Sequence, residues 1–89
     1  MNTINVEIVS PERVLLESAD VVSVVLPGTQ GSLGILPGHA PLITSLSPGV
    51  IEYTAGNERK TLEIEGGFAE VVDNKLIILV TLPAEDPAG

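Results

Sequence analysis

Phe68-Ala69-Glu70-Val71-Val72-Asp73-Asn74-Lys75-Leu76-Ile77-Ile78-Leu79-Val80-Thr81-Leu82 is the stretch that decides the fold. Phe68 to Val72 and Leu76 to Leu82 are rich in β-branched and aromatic residues, which suit a pleated sheet better than a helix. Asp73-Asn74-Lys75 between them is the short polar connection of a hairpin. Upstream, Gly66-Gly67 breaks the chain, Arg59 to Glu65 reads as another strand, and Ala55-Gly56-Asn57 turns it back onto Val50 to Thr54. At the other end, Ile4, Val6 and Ile8 alternate with Asn5 and Glu7, the two-residue repeat of a half-buried strand. After a turn at Ser10-Pro11-Glu12 come Val14-Leu15-Leu16 and then Asp20 to Leu26, which holds four valines and a leucine. The pattern predicts about eight to ten short strands and no helix, the signature of a sandwich or barrel. Residues 1–82 form one such domain, and the polar, proline-bearing residues 83–89 read as a loose tail.

Composition bounds the function. The 89 residues carry twelve Asp and Glu against four Lys and Arg, a net charge of -8, and no cysteine. Phosphate backbones are gripped by clustered cations and by aromatic stacking, so a chain with this charge and 2% aromatic residues is not a nucleic-acid binder. An anionic membrane surface repels it, and a basic protein partner complements it. Its longest fully apolar stretch, Leu76 to Val80, is five residues where a membrane span needs about 20. With no basic, apolar leader at Met1 to Ser10, the expectation is a soluble intracellular protein without direct membrane insertion.

Between Pro27 and Gly49 the character changes. Pro27-Gly28, Gly31, Gly34, Pro37-Gly38, Pro41 and Pro48-Gly49 punctuate this segment, and no acidic residue occurs from Val21 to Ile51. The lone imidazole, His39, lies inside it, between Pro37-Gly38 and Ala40-Pro41. Catalysis or metal binding by a histidine needs further groups, and no Cys or second His exists to supply them. Gly28 to Gly34 lacks the Lys and the following helix of a phosphate loop. Glu63 and Glu65, expected on one strand face with Glu58 near them, read as a solvated face. Tyr53 and Phe68 are core or interface aromatics. No catalytic, cofactor or metal site emerges. A long loop stiffened by prolines loses little entropy on docking, which favours binding.

Pro27-Gly28-x-x-Gly31-x-Leu33-Gly34-Ile35-Leu36-Pro37-Gly38-His39-Ala40-Pro41-Leu42, then Leu46-x-Pro48-Gly49-Val50-Ile51, resembles the signature of the ATP synthase epsilon subunit family. Val6-x-Ile8-Val9-Ser10-Pro11-Glu12 and Gly66-Gly67-Phe68-Ala69-Glu70-Val71 fit the same family, so the resemblance runs from about Asn5 to Leu82. It implies an all-β sandwich, a flattened barrel of two antiparallel sheets with about ten short strands. The family is a non-catalytic part of the central stalk of a proton-translocating F-type ATP synthase. It binds the gamma subunit and the c-subunit ring, coupling rotation to ATP synthesis as a peripheral protein on the cytoplasmic side of a bacterial plasma or thylakoid-type membrane. By position, Ser10, Leu36, Pro37, His39, Ala40, Pro41, Leu42 and Thr44 are implied as gamma-facing. Thr29, Gln30, Gly31, Ser32 and Leu33 are implied as the loop that reaches the c ring, and some relatives hold an acidic residue where Ser32 stands. Typical relatives continue after the position of Leu82 into a carboxy-terminal helical hairpin, so a sequence ending at Gly89 is either a naturally short form or lacks the rest. The rival reading is a stand-alone β-barrel hydrolase, lyase or ligand carrier using surface carboxylates, which requires a deep acidic pocket or a hollow interior.

Overall fold

The computed structural model describes residues 2–83. It has eight strands and, among the described residues, no helix: β1 (Ile4–Val9), β2 (Val14–Gly28), β3 (Gly31–Ile35), β4 (Leu42–Leu46), β5 (Gly49–Ala55), β6 (Glu58–Ile64), β7 (Gly66–Val72) and β8 (Lys75–Thr81). Hydrogen bonding runs in the order β1-β8-β7-β4-β2-β5-β6, with β3 on β2 and a further pairing of β1 with β2. The hairpin at the end of the chain forms as its sequence predicts: β7 and β8 pair from Gly66 and Thr81 down to Val72 and Lys75. Asp73 and Asn74 close it with φ of 51° and 59°, the two left-handed residues of a type I′ turn.

Two features differ from the sequence expectation. The strands number eight, within the eight to ten that the pattern predicts and fewer than the ten that the resemblance implies. Val14 to Leu16 and Asp20 to Leu26 belong to one 15-residue strand, because residues 17–19 continue the extended chain along β1 without a turn. That strand serves both layers, pairing with β1 through its first half and with β3 and β5 through its second. The sheet is also mixed, since β1 and β8 run parallel with Val6 level with Leu76. Both strands fill the barrel wall with alternate apolar residues, so neither direction is excluded by patterning alone. The proposed tail from residue 83 falls almost wholly outside the described residues.

Ile4, Val6 and Ile8 from β1 meet Val24 and Leu26 of β2, Ile35, Ile51, Ile64, Val71, Leu76 and Ile78 in one continuous core. Each such side chain contributes about 1.5–3 kcal/mol on burial. The same alternation that buries these residues turns their neighbours outward, and it therefore makes two opposite outer faces.

Candidate functional site

On the layer formed by β4, β7, β8 and β1, the ladder register sets Ser45, Phe68, Leu79 and Val9 side by side across four strands. The next outward row is Ile43, Glu70, Ile77 and Glu7. Ile43 is 74% exposed, Phe68 61% and Leu79 52%, so three large apolar side chains stand in water on one face. They form two adjoining depressions, one lined by Ile43, Phe68, Glu70, Ile77 and Leu79. The other is lined by Val9, Ser10, Pro11, Phe68 and Leu79. An uncovered patch of this kind, edged by carboxylates, marks an interaction surface.

The residues implied as gamma-facing fall at two ends of this face. Ser10 follows β1 and is buried; its Oγ accepts from the Glu12 amide at 3.4 Å and donates to Arg13 O at 3.3 Å, fixing the turn. The loop from Leu36 to Pro41 lies at the opposite end. There His39 N–H donates to Leu36 O at 3.1 Å, and Gly38 has φ of 81°, so Leu36-Pro37-Gly38-His39 is a type II turn. His39 Nδ1–H donates to Ala40 O at 2.7 Å, which holds the ring against its own backbone. Leu36, Ala40 and Pro41 are exposed, and Pro37 and His39 half-buried. Gly38 N–H reaches Asn74 Oδ1 at 2.8 Å, and Asn74 Nδ2 in turn reaches Thr3 O at 2.9 Å. Thr3 and Ser10 bracket β1, so the loop and Ser10 are roughly 20 Å apart at about 3.3 Å per extended residue. Between them lies the apolar face.

Leu42 and Thr44 do not join that face. They alternate with Ile43, so Leu42 packs against the core and Thr44 Oγ1 donates to Ser45 O at 3.2 Å. In the loop implied as c-ring-facing, Thr29 N–H donates to Ser45 O at 3.1 Å, and its Oγ1 lies 2.9 Å from Ser45 Oγ. Leu33 packs on the core, leaving Gln30, Gly31 and Ser32 as the exposed tip. Val9, Ile43, Phe68, Ile77 and Leu79 were not marked as site residues by the sequence reading. For Ile77 and Leu79 the signal is present in Leu76 to Val80, where five apolar residues in succession place apolar side chains on both faces of one strand. Phe68 thus belongs to the surface alternative, whereas Tyr53 packs against the core.

The carboxylates expected on one strand face separate. Glu63 lies in β6, and Glu65 sits in the bend beyond it, where its N–H donates to Thr81 O at 2.7 Å. Glu7 and Glu17 face each other across β1 and β2 and line an open depression with Asn5, Ser18 and Lys75. Among the described residues, no helix is long and apolar enough to cross a membrane.

Residues 3–82 match the family model described as the ATP synthase delta/epsilon chain, beta-sandwich domain. The chain belongs to that family. An ATP synthase epsilon chain of Leptospira interrogans is 44% identical over 78 residues, which is 88% of this chain and 61% of the relative. One from Desulfitobacterium hafniense is 51% identical over 78 residues, 86% of this chain and 58% of the relative. The chain therefore spans about three-fifths of the length of these relatives. In the mitochondrial ATP synthase of Euglena gracilis, a chain at 26% identity superposes with a TM-score of 0.84, covering 90% of this chain and 51% of that one. A chain from the central stalk and c-ring structure of the Tetrahymena thermophila enzyme, at 21% identity, shares the fold with a TM-score of 0.79. Both solved chains thus share the fold of this chain.

Proposed function

We propose that this chain is a non-catalytic central-stalk component of a proton-translocating F-type ATP synthase, attached to the gamma subunit through the outer face of β4, β7, β8 and β1. The observation that carries the reading is the row Phe68, Leu79 and Val9 with Ile43 and Ile77 beside it, lying between Ser10 and the Leu36–Pro41 loop. Family membership and the names of its relatives support the assignment to this complex. A small rigid sandwich transmits torque by being gripped on two sides. The apolar face provides one grip, and the Gln30–Ser32 tip, held to β4 through Thr29, provides a second toward the polar loops of the c ring. The protein is then peripheral to the membrane that holds the ring. A stable complex buries roughly 1,200–2,000 Å² in total, and on this reading the gamma contact extends from the apolar face to Ser10 and the His39 loop at its two ends.

Co-elution with gamma tests this directly. The chain is expected to co-elute with purified gamma, and Ile43→Asp with Phe68→Asp to abolish that while leaving the sandwich folded. Undiminished co-elution of the double variant places the interface elsewhere.

A further inference from the structure

The Leu36–Pro41 loop has no strand partner, and one side chain from the far end of the sequence holds it. A type II turn leaves the N–H of its third residue pointing away from the turn's own hydrogen bond. In this loop that residue is Gly38, and Asn74 Oδ1 accepts its N–H at 2.8 Å. The same amide group donates through Nδ2 to Thr3 O at 2.9 Å, and the Asn74 carbonyl accepts from Asn5 N–H at 3.2 Å. Three segments therefore meet on one residue: the start of β1, the β3–β4 loop and the β7–β8 turn. Asparagine meets both requirements of the position. It tolerates the left-handed conformation that the turn imposes, φ of 59°, and it carries an acceptor and a donor on one short side chain.

We infer that Asn74 is a positioning residue for docking: it locks the Leu36–Pro41 loop in its binding conformation and so lowers the ordering cost of association. The inference rests on the proposed attachment to gamma. An unclasped loop loses its conformational freedom only on binding, and that loss subtracts from affinity. Apart from the turn's internal bond, the Gly38–Asn74 hydrogen bond is the one tether recorded between residues 36–41 and the body, among the described residues.

Two substitutions separate the clasp from the turn. Asn74→Gly keeps a residue at ease with positive φ and removes both side-chain bonds. Asn74→Asp keeps an acceptor for Gly38 N–H, but the oxygen that replaces Nδ2 faces Thr3 O and repels it. In the free chain, Asn74→Gly is expected to release the Gly38 amide to fast hydrogen exchange, and Asn74→Asp to retain part of its protection. Affinity for gamma is expected to fall roughly three- to tenfold in Asn74→Gly. In Asn74→Asp it should fall less than in Asn74→Gly. Protection of Gly38 unchanged in Asn74→Gly, or an unchanged affinity in that variant while the parent binds gamma, overturns the clasp. Should Asn74→Gly fail to fold, unchanged Gly38 protection in Asn74→Ala does the same. If the parent itself does not bind gamma, the attachment reading fails, whereas the exchange experiment still decides whether Asn74 holds the loop.

Discussion

The two outer faces of this sandwich are made by the same alternation and look nothing alike. Across β4, β7, β8 and β1 the outward residues include Ile43, Phe68, Ile77, Leu79 and Val9. Across β3, β2, β5 and β6 they include Ser32, Gly34, Val25, Glu52, Thr61, Val50 and Glu63, a mainly polar set in which apolar residues stand singly. A polar outer face is the ordinary condition of an antiparallel layer with one side in water. The apolar one has no structural role in the isolated domain, because the core beneath it is already complete. The difference is what the proposed attachment requires: an exposed row on the first layer suited to another surface, and one on the second suited to solvent.

The largest effect expected tests how rigid the apolar layer is. A Cβ on Gly67 would collide with Leu79 O across the β7–β8 ladder, and its φ of 152° strains any other residue. Gly67→Ala is expected to cost about 2–4 kcal/mol. Gly34, on the polar layer, has nothing within 4 Å of its Cβ position, so Gly34→Ala is expected to stay within about 0.5 kcal/mol of the parent. Urea denaturation of both measures the contrast, and equal midpoints would show that β7 and β8 can part without loss.

Next comes binding without stability. Phe68→Ser removes a largely exposed ring, so its unfolding midpoint is expected to stay near that of the parent, while gamma affinity falls by about 2 kcal/mol or more. Val50→Ser makes a similar change on the polar face and is expected to leave affinity unaltered. Titration calorimetry separates them, and equal losses in both variants would erase the distinction between the faces.

The sheet was legible because its evidence is local. Val6-x-Ile8, the Asp20–Leu26 run and the Asp73-Asn74 turn each specify backbone shape within a few residues. Of the proposed contact face, only the turns at its two ends are legible in sequence, at Ser10 and at Pro37-Gly38-His39. Ile43 went unmarked because its neighbours Leu42 and Thr44 are equally plausible outward residues until the phase of β4 is set by pairing with β7. A one-residue change of phase exchanges the two faces, and only a long-range partner fixes it. The parallel β1–β8 pair is hidden for the same reason, since its two strands are separated by almost the whole chain. Asn74 reads as a turn residue in sequence, and its bond to Gly38 exists only once residues 36 positions apart meet.

A third expectation sharpens the comparison through charge. Glu70 sits between Ile43 and Ile77 in the apolar face, with no cation of this chain within 4 Å among the described residues. Docking against an apolar surface would strip its water, so a basic group of the partner is expected to face it. Glu70→Lys is expected to weaken gamma binding by about 1–2 kcal/mol and to flatten its dependence on salt. An unchanged salt slope, measured over a range of ionic strength, would put Glu70 outside the contact.

The smallest effect belongs to the polar face. Arg59 and Glu52 approach to 3.5 Å across β5 and β6, but their side chains are 72% and 43% exposed. Holding two long side chains together in water offsets most of the attraction, so the pair contributes no more than about 0.5 kcal/mol. A double-mutant cycle with Arg59→Ala and Glu52→Ala is expected to return a coupling of that size, vanishing in high salt. Gamma affinity should be the same for all four members of the cycle. A coupling above about 1 kcal/mol would mean that the polar face is organised beyond what solvent requires. An affinity change in any member would mean that this face too meets a partner, and the asymmetry between the layers would then be one of chemistry and no longer one of use.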